Sequence, residues 1–174
     1  PKRMEIVGYP TEVQSKPMKK DNRFKKGIVL LSHYIMEKQN LCLIDILSNY
    51  VSDKEFYLKL HPSLDLDKYV KLAQEKGMKI VPKNLAVNDC VDNTSFDFAV
   101  AINSTAYYEA LMRGLPCFRY SDGSFTPLAG CDDGFQDADT YSAQFNRIKS
   151  LPLDKYQDEV DKVLEYAVGW GIDN

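Results

Sequence analysis

The stretch from Phe96 to Tyr120, FDFAVAINSTAYYEALMRGLPCFRY, constrains the fold more than any other part of the chain. Its apolar run Phe98 to Ile102 has the length and content of a strand buried on both faces. Polarity changes abruptly at Asn103-Ser104-Thr105, residue types that start a helix or line its mouth. Helical spacing continues to Arg113, Gly114 stops it, and Pro116 precedes a second strand, Cys117 to Tyr120. A strand–helix–strand unit of this kind places its polar turn at the carboxyl end of the first strand, where open α/β sheets bind ligands. Glu109 falls about one helical turn further on, within reach of the same crevice.

The same alternation runs through the rest of the chain. Gly27 to Leu31 reads as a buried strand ending at Ser32-His33, and Phe56 to Leu60 as another ending at His61-Pro62. Met78 to Val81 is a third, shorter strand stopped by Pro82. Helices fit Glu37 to Tyr50, with Leu41, Ile44, Leu47 and Val51 on one face, and Asp65 to Lys76 before Gly77. Residues 83–95 read as a short helix and turn, 121–138 as a loop over the binding edge. Two helices close the chain, Asp139 to Lys149 and Asp154 to Val168. This spacing implies right-handed crossovers and an α/β, Rossmann-like open parallel sheet with helices on both faces, strand order 3-2-1-4-5. The switch point then falls between the first and fourth strands, bringing Ser32-His33 beside Asn103-Ser104-Thr105 with His61 next door.

A chain of 174 residues is one domain of ordinary size. No apolar run approaches the ~20 residues that span a bilayer, so a soluble, cytoplasmic protein is expected. The chain starts at Pro1, and a piece of a longer protein is expected. Residues 1–26 hold eight Lys/Arg against three acidic residues, leaving 14 basic and 22 acidic in 27–174. That acidic body argues against nucleic acid as a partner. The basic head reads as a solvated linker or the end of a preceding domain, with Met4 to Val7 a short strand; peripheral contact with anionic lipid at the inner face of the plasma membrane is the rival reading. The four cysteines are widely spaced, without C-x-x-C or a nearby His, so neither a disulfide framework nor a zinc site is indicated.

At the predicted edge, Ser104 and Thr105 offer hydroxyls and their helix start offers backbone N–H groups, a setting suited to phosphate. His61 can donate to a phosphate oxygen or protonate a leaving phosphate. Glu109 suits the paired hydroxyls of a ribose. Taken singly each has a plainer explanation: a capping pair, a strand-end histidine, a solvated glutamate. Their convergence on one edge favours a phosphorylated ligand.

The segment NSTAYYEALMRGLP resembles the signature turn and helix of the C-terminal, nucleotide-binding domain of GT-B glycosyltransferases. KLHPS, Lys59 to Ser63, is similar to the His-Pro motif of bacterial sialyltransferases and related capsule- and teichoic-acid-type transferases, which pair it with a Ser-Ser or Ser-Thr motif and use cytidine-activated donors. VGYP resembles the GT-B segment leading into the second domain. The resemblance implies that His61, Asn103, Ser104 and Thr105 hold the donor phosphate and Glu109 the ribose. Pro82 and Lys83 would bind the base through backbone groups, and Ser32 and His33 would face the interdomain cleft. It further implies the donor-binding half of a transferase in surface or capsular polysaccharide synthesis, with a nucleotide-activated sugar such as CMP-sialic acid and a saccharide acceptor as substrates. An N-terminal acceptor domain would supply the general base, and the isolated chain would transfer nothing. Neither cofactor nor metal is expected; Asp132-Asp133 is the nearest approach to an Asp-x-Asp motif and reads as turn chemistry. Half of a sugar-nucleotide epimerase, or a non-catalytic flavodoxin-like module, are the alternatives.

Overall fold

A computed structural model describes residues 16–19, 24–82, 84–93, 96–102, 105–122 and 134–168. The expected strand Met4 to Val7 lies outside the described residues, as do Lys83, Asn103, Ser104 and Asp132-Asp133.

Six parallel strands form one sheet in the order β3-β2-β1-β4-β5-β6. They are β1 Lys26–Leu30, β2 Glu55–Lys59, β3 Lys79–Ile80, β4 Phe98–Ile102, β5 Cys117–Tyr120 and β6 Gly134–Phe135. The first five take the expected order. The sixth corrects the reading of 121–138 as loop throughout, since Gly134 and Phe135 pair with Arg119 and Tyr120 along the edge of β5. Two residues are too few to show a period, and glycine is a poor strand former. What holds them is tertiary: Phe135 is buried, its ring 5.0 Å from that of Tyr141.

A 3-10 turn, Tyr34–Met36, leads into α1, Glu37–Ser48; then come α2 Leu66–Glu75, α3 Val87–Asn93, α4 Thr105–Met112, α5 Ala138–Ser150 and α6 Leu153–Val168. The Asp65 carboxylate caps α2 by accepting the Lys68 N–H at 3.2 Å. The turn beyond α4 is closed by Gly114 at φ +77°, which L side chains avoid. In α1 the buried face is Asn40, Leu43, Ile44 and Leu47, rotated from the expected one because Leu41 is only half-buried.

Alternate strand residues point to opposite faces. On one face Phe98 and Phe118 pack against Phe145 of α5 with centroids 5.6 and 5.5 Å apart. Tyr50, just past α1, joins this layer, its ring 4.9 Å from Tyr141 and its hydroxyl donating to the Ala138 carbonyl at 2.6 Å. On the other face the Arg119 guanidinium lies 5.7 Å from the centre of the Tyr107 ring of α4, and α6 packs beside α4. The folded body also reaches into the segment read as linker. Met18 and Phe24 are buried in the core, and Lys16 and Lys19 donate backbone N–H groups to the carbonyls of Met112 and Gly114 at 2.8 and 2.6 Å. No helix among the described residues is long and apolar enough to cross a membrane.

Candidate functional site

The order of the strands reverses between β1 and β4, and at the carboxyl ends of these strands the structure opens into a cleft of about 370 Å³. This is within the usual range for a small-molecule site. Ser32, Lys59, His61, Thr105 and Glu109 line it with polar atoms, over an apolar surface that includes Leu30, Leu60, Leu85, Val87 and Ala106.

Each side chain is delivered by a local device. Beyond β1, the buried Asn40 of α1 holds Ser32 from both sides: its Oδ1 accepts the Ser32 N–H at 2.9 Å and its amide donates to the Ser32 carbonyl at 3.0 Å. Both backbone groups are thereby satisfied and the loop is pinned as it leaves the sheet. His33 starts the 3-10 turn, its Nδ1 accepting the Ile35 N–H at 3.3 Å. Beyond β2, His61 Nδ1 accepts the Ser63 N–H at 3.2 Å and lies 2.8 Å from the Ser63 hydroxyl oxygen. That hydroxyl accepts the Tyr34 N–H at 3.2 Å, joining the two loops. The rings of His33 and His61 meet edge to face, centroids 5.1 Å apart. Burial, and then the charge of His33, hold the His61 imidazole below its ordinary range. Thr105 opens α4, and Glu109 follows one turn later.

Register supplies a further cleft residue. Lys59, Leu30, Ala101 and Arg119 occupy one row across four strands. At the β2 position of that row Lys59 is only 5% exposed and lines the cleft. A buried ammonium requires compensating polar or anionic groups, and Glu109 lines the same cleft. In the sequence Lys59 belongs only to a strand and to the KLHPS motif. The available signal was a lysine near the end of a strand otherwise apolar on both faces.

Of the residues expected at the site, Ser32, His61, Thr105 and Glu109 share the cleft. His33 stands behind His61 rather than on the lining. Pro82 is exposed and off the lining; the chain reaches the cleft two residues later, at Asn84 to Val87, because just before Pro82 it is still held along β2 by the Val81 N–H, which donates to the Leu58 carbonyl at 2.9 Å. Lys83, Asn103 and Ser104 lie outside the described residues. Asn40 and Ser63, which hold the two loops in place, carried no signal of their own, since their partners are backbone groups that become neighbours only in the folded chain. Among the described residues no group of three or more His, Cys, Asp or Glu side chains is arranged to hold a metal ion. No protein-family model matches the chain, and no curated protein matches it.

Proposed function

We propose that this chain is the donor-binding half of a GT-B-type glycosyltransferase, holding the nucleotide of an activated sugar, with a cytidine nucleotide favoured. The observation that carries the reading is the meeting of Ser32, His61, Thr105 and Glu109, from the loops after β1 and β2 and from α4, in one cleft at the switch point. The start of α4 offers N–H groups and a favourable dipole to a phosphate, Lys59 offers positive charge from the floor, and Glu109 offers an acceptor to ribose hydroxyls. Transfer would be a direct displacement at the anomeric carbon: a carboxylate of the acceptor domain takes the proton of the acceptor hydroxyl, while His61 and the helix start stabilise the departing phosphate.

Calorimetry with CMP, CDP, UDP and GDP tests this. The expected outcome is preferential binding of a cytidine nucleotide, weakened roughly 5- to 150-fold by His61→Ala and by Glu109→Ala, equivalent to about 1–3 kcal/mol per lost contact. A folded chain that binds none of the four overturns the proposal.

A further inference from the structure

At the ends of β1 and β2 the chain makes the same turn twice. His33 Nδ1 accepts the N–H of Ile35, and His61 Nδ1 accepts the N–H of Ser63. A ring nitrogen that accepts carries no proton, so each neutral ring keeps its proton on Nε2 and offers that N–H away from its turn. These are the two histidines of the sequence, and their rings face each other. The turns differ in one group. Where the first has Ile35, the second has Ser63, whose hydroxyl oxygen lies 2.8 Å from His61 Nδ1.

That hydroxyl gives the second turn an option that the first lacks. By rotating its hydrogen it donates to the Nδ1 of a neutral imidazole or accepts from the Nδ1–H of an imidazolium. His61 therefore has an acceptor waiting for a second proton. The Ser63 N–H also points at that Nδ1, so the hydroxyl is what stands beside it able to accept. We infer that Ser63 is a positioning residue for proton-coupled anion binding: through its hydroxyl, His61 takes a proton from solvent as a nucleotide phosphate enters the cleft, and meets the phosphate as an imidazolium.

The inference rests on the donor-site reading above. The charged groups around the ring set the balance. Lys59 of β2 and Glu109 of α4 share the cleft with it and oppose each other in sign, and His33 faces it from the β1 loop. Glu37 of α1 is paired with Lys68 of α2 at 2.7 Å, and Asp65 is turned into the start of α2. In the free chain burial and His33 keep His61 neutral near pH 7, and a phosphate dianion supplies the stabilisation that the imidazolium lacks.

Titrating the full chain with CMP at pH 7.5, where the nucleotide phosphate is mostly dianionic, in buffers of different ionisation enthalpy counts the protons taken up. NMR of the 15N-labelled rings reports the His61 tautomer and its titration without ligand. The free protein is expected to show His61 protonated on Nε2 alone, and CMP binding to bring net proton uptake. Ser63→Ala is expected to cut that uptake by roughly threefold or more and to move the free His61 titration to lower pH. Ser63→Thr, which keeps the hydroxyl, restores both. CMP binding without proton uptake, uptake untouched by Ser63→Ala, or a neutral His61 protonated on Nδ1 in the unmodified chain each overturns the inference and leaves the donor-site reading standing. Failure of the unmodified chain to bind CMP or any other nucleotide removes that reading, and the inference with it.

Discussion

A methyl group added at Gly27 would stand 2.5 Å from two atoms of the Phe98 ring and 3.3 Å from Phe56, so Gly27→Ala must push apart the central aromatic layer. Overpacking of that kind costs about 1–3 kcal/mol, to be read as a lower urea midpoint. Gly114→Ala meets two obstacles, a φ of +77° and the Pro17 carbonyl oxygen, and neither is a flexible side chain that can turn away. It is expected to destabilise more than Gly27→Ala under the same conditions, and equal or smaller loss would show that the 16–19 segment does not pack as described. Lys59→Met tests the cleft instead of the core. It keeps the length of the buried stem and removes the charge, so CMP affinity should fall roughly tenfold while the melting temperature holds or rises. Of these residues Gly114 was legible as a helix stop. Gly27 looked like the mere start of a strand, because the rings that exclude its side chain come from positions far along the chain.

Among the elements, α5 shows most clearly how local chemistry and packing divide the work. Its start is local chemistry, at a cap inside the stretch expected to be loop: the Asp137 carboxylate accepts the Thr140 N–H at 2.8 Å, and the Thr140 hydroxyl oxygen accepts the Asp137 N–H at 3.0 Å. The Thr140 N–H, and then the Thr140 hydroxyl donating to Asp137 Oδ1 at 2.7 Å, hold the Asp137 carboxyl below its ordinary value of 3.8. Both states are ionised above that value and the cap is fully present; as pH falls through the lower folded value the carboxylate is protonated and the contribution is lost. Asp137→Ala should therefore lower the melting temperature by roughly 2–4 °C at pH 7, and by progressively less as the carboxylate is protonated in acid, measured by circular dichroism. The far end of α5 depends on its neighbour. Arg147 makes two parallel bonds to the Glu159 carboxylate of α6, at 2.9 and 3.1 Å. Lysine cannot reproduce that fork, so Arg147→Lys is expected to cost about 0.5–1 kcal/mol in chemical denaturation. Periodicity revealed both helices, but the ion pair between them needed the turn at Pro152 to set their relative rotation, and the two-residue β6 had no periodicity to reveal.

Across the whole molecule, burial of tyrosines sets the response to alkali. Burial pushes the Tyr120 phenol up to about 12 from an ordinary 10.0, and raises Tyr50, Tyr69 and Tyr141 as well. Below pH 10 folded and unfolded chains both keep these protons. Above it the unfolded chain releases them first, so stability falls as pH rises from about 10 toward 12. Tyrosinate absorbance at 295 nm should show a late group of phenols that ionises together with loss of the near-UV circular dichroism signal. The parallel strand order, the helices on both faces and the edge where polar turns gather could be read from residues 27–120, because apolar run length, helical spacing and Gly/Pro punctuation act over neighbouring residues. Ser32, His61, Thr105 and Glu109 of the cleft could be read that way too, but the rest of its surroundings could not. Lys59 enters it through its register beside Leu30, Pro82 misses it by two residues, and Ser63 reaches His61 through the fold of one tight turn. Those outcomes depend on how strands slide and loops close against distant partners, a matter of fractions of a residue's length that local preferences leave undetermined.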